Sequence, residues 1–188
     1  MRSIIVSDIF GKTTALVKLA RELDADAIID PYNGKNMNFS SEVQAYEYFT
    51  QNVGIESYLE KLLKIVKEST SECTLIGFSI GASIIWKLSD KALSPHNQKV
   101  KKAICYYGSQ IRLSTEVSPI FKISIIFPKW EPHFEVTAIK KILDKKDNVT
   151  TKHVNFLHGF MNIHSSNFER IAYYEHMKYL EKEIKNIS

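Results

Sequence analysis

The sequence predicts an α/β protein, a three-layer α/β/α sandwich built on a six-stranded parallel sheet, and three observations predict it. Six short apolar runs alternate with stretches of helical period. Several runs are apolar at consecutive positions instead of alternating with polar residues, as strands covered by helices on both faces must be. Four polar residues, Asp8, Ser79, Glu131 and His158, follow the ends of such runs. Ligands of open parallel sheets bind outside those carboxyl ends, near the point where the strand order reverses, and the order expected here is 2-1-3-4-5-6.

Taken in order, Ser3-Ile4-Ile5-Val6 suits a strand buried on both faces, and Asp8-Ile9-Phe10-Gly11 ends it. Leu16, Leu19, Ala20 and Leu23 then form one stripe of a helix over residues 12–23. Ala27-Ile28-Ile29 is a second strand, stopped by Asp30-Pro31-Tyr32-Asn33-Gly34, whose proline and Asn-Gly pair require a loop. Residues 40–69 read as two helices parted near Gly54, the first capped by Ser41 and the second striped by Ile55, Leu59, Leu62, Leu63 and Val66. Tyr46, Tyr48 and Phe49 read as core or pocket wall. Cys73 to Phe78 is the third strand, and its following helix runs to about Asp90. A polar loop through Pro95 leads to a fourth strand, Ala103 to Tyr107, stopped by Gly108. Ile123 to Phe127 is the fifth, followed by a helix over about 135–145. Val149 to Phe156 is the sixth, and a long amphipathic helix closes the chain from about Asn167 to Ile184, with Phe168, Ile171, Tyr174, Met177 and Leu180 on its buried side.

Length and composition limit the function classes. A chain of 188 residues with 44% apolar content is sized for one domain, residues 1–188. The net charge of +4 comes from lysines scattered over helices, with no stripe of Arg interleaved with aromatics, so nucleic acid is not an expected partner. Cys73 and Cys105 fall in core strands as small apolar side chains, which implies neither a disulfide framework nor a metal site, and no cofactor is expected. Neither a signal peptide nor an 18-residue apolar run is present, so a soluble, cytoplasmic protein without membrane attachment is expected. Gly11-Lys12-Thr13 echoes the end of a P-loop, but the first glycine of that motif would fall at Val6, inside a strand.

The chemistry centres on Gly77-Phe78-Ser79-Ile80-Gly81, a G-x-S-x-G turn between a strand and a helix. Such an elbow lifts its serine above the strand end, small residues two before and two after let neighbouring backbone pass, and the helix aims its first amides at a developing oxyanion. A serine hydroxyl is weak at neutral pH and needs an imidazole to take its proton and a carboxylate to orient that imidazole. His158, just after the last strand and beside Gly159, is the expected base, with His164 as runner-up; His153 lies within the strand. Glu131 is the expected acid, with Glu135 as the alternative. The chain order Ser, acid, His is that of the α/β-hydrolase sheet.

These motifs together resemble the dienelactone hydrolase family of α/β hydrolases over nearly the whole chain. Ile4 to Gly11 resembles the family's first retained strand and acid-Ile-Phe-Gly loop, Asp30-Pro31-Tyr32 its Pro-Asp-Leu/Tyr stretch, Tyr106-Tyr107-Gly108 its Tyr-Tyr-Gly, and His158-Gly159-Phe160 its His-Gly-Phe. The resemblance implies a compact α/β-hydrolase fold lacking the two usual antiparallel edge strands. It implies Ser79 as nucleophile in place of the family's cysteine, His158 as base and Glu131 in the acid turn, where Pro128 replaces a glycine and Glu an aspartate. It also implies an oxyanion hole from the backbone amides of Ile9 and Ile80, and a site acid at Asp8, a residue that could equally cap the next helix. Asn162 stands where the family carries the arginine that holds a substrate carboxylate, so dienelactone is not the expected substrate. A serine esterase acting on a small ester or thioester is expected; the alternative is a degenerate member that keeps the fold for binding.

Overall fold

A computed structural model describes residues 2–91 and 99–185, so the loop expected through Pro95 lies outside the described residues. Six strands, β1 (Arg2–Val6), β2 (Ala27–Ile29), β3 (Cys73–Phe78), β4 (Val100–Tyr106), β5 (Lys122–Phe127) and β6 (Val149–His153), form one sheet. Its order is β2-β1-β3-β4-β5-β6, with every pairing parallel. The chain runs outward from β1 to β2, returns to β3 and then proceeds the other way, so the order reverses between β1 and β3. Right-handed crossovers make that reversal change faces. Helices α1 (Thr14–Glu22) and α6 (Arg170–Lys185) therefore cover one face, and α2 (Glu42–Asn52), α3 (Gly54–Glu68), α4 (Ile80–Leu88) and α5 (Val136–Leu143) the other.

Consecutive strand residues supply opposite cores. Ile4, Leu75, Ala103 and Ile125 join the face under α3 and α4, whereas Ile5, Ile76, Ile104 and Ile126 join the face under α1 and α6. The expected cap at Ser41 forms, its Oγ accepting from the Gln44 amide, and at α1 the cap is Thr13, whose Oγ1 accepts from the Leu16 amide. Thr13 thus takes the capping role that was one of two readings of Asp8. Gly54 has φ +74° and parts α2 from α3, as expected.

Three expectations are corrected. β4 starts three residues earlier than expected, because Lys101 and Lys102 lie at the strand's surface end, where they pair with Glu72 and Glu183. β6 stops at His153, not Phe156; after the Val154 amide donates to the Phe127 carbonyl, the chain turns back over the sheet rim. The buried side of α6 consists of Ala172, Met177 and Leu180, while Ile171 and Tyr174 are 65% and 59% exposed and Phe168 precedes the helix. The turn at residues 165–169 sets the helix phase: the Phe168 amide donates to the Ser165 carbonyl and the Glu169 amide to that of Phe160. No helix among the described residues is long and apolar enough to cross a membrane.

Candidate active site

Ser79 occupies the turn between β3 and α4 with φ 51° and ψ −114°, a conformation costly for a residue with a side chain and held only where its surroundings compel it. The two flanking glycines show what compels it. A Cβ on Gly81 would lie 2.3 Å from the Val6 carbonyl oxygen, and one on Gly77 would lie 2.7 Å from the Ala82 backbone and 2.6 Å from Ile85 Cδ1. Helix α4 is thereby pressed against β1 and β3, and the Ser79 amide is secured to the Tyr106 carbonyl at 2.9 Å.

His158 reaches Ser79 from the loop after β6. Its Nε2 lies 3.0 Å from Ser79 Oγ, and its Nδ1 lies 2.7 Å from Glu131 Oε1. Glu131, only 5% exposed, sits in a turn closed by its bridge to Phe134. Glu135 is exposed at the N-cap of α5 and His164 is exposed and stacked on Phe10, so neither alternative enters the relay. His153 faces the Lys129 carbonyl on the edge strand. The His158 loop is held by the Asn167 amide group donating to the His158 carbonyl, and by Gly159, whose φ of +83° leaves no room for a Cβ beside Ser165. The ring of Tyr107 packs 5.0 Å from that of His158.

The segment 8–11 is pinned from several sides. Asp8 Oδ1 accepts from the Phe10 amide at 2.9 Å, and Asn162 Nδ2 donates to Asp8 Oδ2 at 2.6 Å. The Tyr32 hydroxyl donates to the Ile9 carbonyl at 2.7 Å while its ring covers Gly11. Below, the buried Tyr58 hydroxyl is shared between the carbonyls of Ile29 and Ser7. Ile9 and Ile80 both border the space above Ser79, and neither backbone amide donates a hydrogen bond to another described residue. Asp8 borders it too; surrounded by protein, its carboxyl is pushed up to about 6 by burial, with the Phe10 amide and Asn162 opposing. Asp8 therefore lies in the site with Phe10 and Asn162, not Ser79, as its hydrogen-bond partners among the described residues.

This pocket has a volume of about 540 Å³, within the range of small-molecule sites. Helix α2 walls it with Glu42, Tyr46 and Phe49, and among the described residues no Lys or Arg lines it. No cluster of three or more His, Cys, Asp or Glu side chains among the described residues could hold a metal ion. Sequence reasoning missed Tyr32 and Tyr58 as supports and Asn162 as the partner of Asp8. Only the position of Asn162 in the resemblance marked that last residue out.

The sheet order, the elbow and the carboxyl-end pocket define an α/β-hydrolase fold, and solved structures match it throughout. A dienelactone hydrolase-like promiscuous phosphotriesterase from metagenomic libraries superposes with a TM-score of 0.69 over all of this chain and 87% of its own, at 12% identity. The Pyrobaculum calidifontis esterase gives 0.64 over all of this chain and 76% of its own at 14% identity, and Est1E of Butyrivibrio proteoclasticus, solved with ferulic acid, gives 0.64 over 99% and 89% at 8%. No protein-family model matches the chain. In sequence it is similar to the uncharacterized protein YczH of Bacillus subtilis strain 168, 28% identical over 180 residues that cover 92% of this chain and 86% of that one.

Proposed function

We propose that the protein is a serine hydrolase that cleaves a small carboxylic ester or thioester through an acyl-enzyme. The observation that carries this reading is the continuous relay from Ser79 Oγ through His158 to the buried Glu131, set on a strained elbow. In the proposed cycle Ser79 Oγ attacks the substrate carbonyl carbon as His158 Nε2 takes its proton, and Glu131 accepts from Nδ1–H and stabilises the imidazolium. The tetrahedral oxyanion meets the amides of Ile80 and Ile9. Collapse expels the alcohol or thiol with the proton from His158; water, deprotonated by the same nitrogen, then attacks the acyl carbon and releases the acid with Ser79 restored. The esterases among the fold neighbours support ester chemistry. A lining that includes Asp8, Glu42 and Glu47 and lacks Lys and Arg disfavours a substrate carboxylate, in keeping with Asn162 at the arginine position.

A fluorophosphonate probe tests the reading. Covalent labelling of the wild type at Ser79, absent in Ser79→Ala, is expected together with hydrolysis of p-nitrophenyl acetate. Folded wild-type protein that neither labels nor hydrolyses any p-nitrophenyl or thioester substrate would refute it in favour of a binding role.

A further inference from the structure

A second cavity, of about 260 Å³, lies on the opposite side of Asp8 from the catalytic pocket, between α1 and the turn that starts α6. Its walls are Leu16, Leu19, Phe78, Met161, Phe168 and Tyr173. An apolar cavity of about 150 Å³ is enough to hold benzene, so this one has room for a substituted ring or a short alkyl chain. Asp8, Tyr107 and Asn162 border both spaces, and the 2.6 Å contact between Asn162 and Asp8 is part of the partition. The Tyr107 hydroxyl is a second, independent sign of a ligand. Its residue is 1% exposed, and among the described residues the oxygen completes no hydrogen bond of good geometry, although the Met161 backbone acts on it. A buried hydroxyl left without a partner costs about 1–3 kcal/mol, a cost that a bound polar atom would relieve. Lys18 and Arg170 stand at the outer rim; both are exposed, and Lys18 is paired with Glu22.

We propose that this cavity binds an uncharged apolar group the size of a substituted ring or a six-carbon chain. On the hydrolase reading above, on which this part rests, the group is the apolar portion of the ester, passing Asp8 and Asn162 from Ser79. The cavity supplies the area for such a group, and Tyr107, which borders both spaces, a hydroxyl for the ester oxygen or ring substituent attached to it, while the acidic catalytic pocket and rim cations already engaged or solvated give a charged group no buried partner.

Binding is tested without chemistry by titrating benzyl alcohol, and separately hexanol and hexanoate, into 15N-labelled Ser79→Ala protein. Saturable amide shifts at Leu19, Met161 and Phe168 are expected, with hexanol binding more tightly than hexanoate, and Leu16→Trp should abolish them by filling the space. Leu16→Phe serves if the tryptophan variant does not fold. Shifts absent from those residues, unaltered by the filling variant, or stronger with hexanoate would overturn the proposal. The kinetic arm compares kcat/KM for p-nitrophenyl hexanoate against acetate and for hexyl against ethyl acetate. At least one ratio should fall tenfold or more in the filling variant, and two unchanged ratios would overturn the role in substrate binding. Should the wild type hydrolyse none of these esters, the hydrolase reading fails, whereas the shifts still decide whether the cavity binds.

Discussion

The two faces of the sheet are built differently. Under α3 and α4 the core is mainly aliphatic: Leu62, Ile84, Ile85 and Leu88 are fully buried and press α4 onto the strands that carry Ser79. Under α1 and α6 aliphatic side chains are joined by a cluster of aromatic rings, and a cavity remains. Tyr106, Phe160 and His176 cluster there, with Tyr106 Oη 3.1 Å from His176 Nδ1, and the 260 Å³ cavity is lined by Phe78 and Tyr107 of the same core. Burial pushes His176 down to about 4, so that face buries a neutral imidazole instead of an alkyl group. Ser79 belongs to the tight face, while His158 leans on Tyr107 of the other. The contrast suggests a division of labour: the strained turn of the proposed nucleophile is held by close packing, and the other face keeps a space that a ligand can use.

The sharpest test of that division is the relay that joins the faces. Glu131→Gln removes the carboxylate that orients His158 and is expected to lower kcat on the order of 10³- to 10⁴-fold with the fold retained, as steady-state kinetics and circular dichroism would show. A smaller loss, on the order of 10²- to 10³-fold in turnover, is expected for Ile9→Pro, which deletes one amide hydrogen, whereas Ile9→Val should remain near wild type. Circular dichroism and fluorophosphonate labelling would separate loss of the donor from a disturbed loop, and wild-type turnover by folded Ile9→Pro would remove that amide from the proposed oxyanion hole.

The packing contrast itself is broken or upheld by urea unfolding. Ile85→Ala on the tight face should cost about 3 kcal/mol, as buried aliphatic truncations do, and Leu16→Ala, half-buried beside an existing cavity, less than about 1 kcal/mol. Equal losses would mean that the faces are packed alike. A gain instead of a loss is expected at Asp8, which borders both pockets. Its folded pKa of about 6 exceeds the ordinary 3.8, so the unfolded chain ionises first and stability falls as pH rises from about 4 to about 6. Asp8→Asn should remove that fall. The shift alone corresponds to at most about 3 kcal/mol, and an amide cannot accept from both the Phe10 amide and Asn162, so a net gain of about 1–2 kcal/mol at pH 7 is expected, vanishing below pH 4.

What the sequence determined by itself was whatever short-range chemistry dictates. Runs such as Ile4 to Val6 and Leu75 to Phe78 announce strands buried on both faces, Gly77 and Gly81 announce the elbow, and alternation with helical stripes leaves few topologies once crossovers are right-handed. Ser79, Glu131 and His158 were legible for the same reason, since strand ends in a parallel sheet share a rim. Only the tertiary structure decided which carboxylate met His158, because Glu131 and Glu135 are four residues apart and the turn through Pro132 buries one and exposes the other. It alone decided the buried side of α6, whose phase is set by hydrogen bonds in the preceding turn and not by its own periodicity. It alone paired Asp8 with Asn162, 154 residues apart, and Tyr58 with the carbonyls of Ser7 and Ile29. Contacts at such separations leave no trace in local spacing; they exist because the folded backbone has carbonyls and carboxylates to satisfy wherever the chain happens to return.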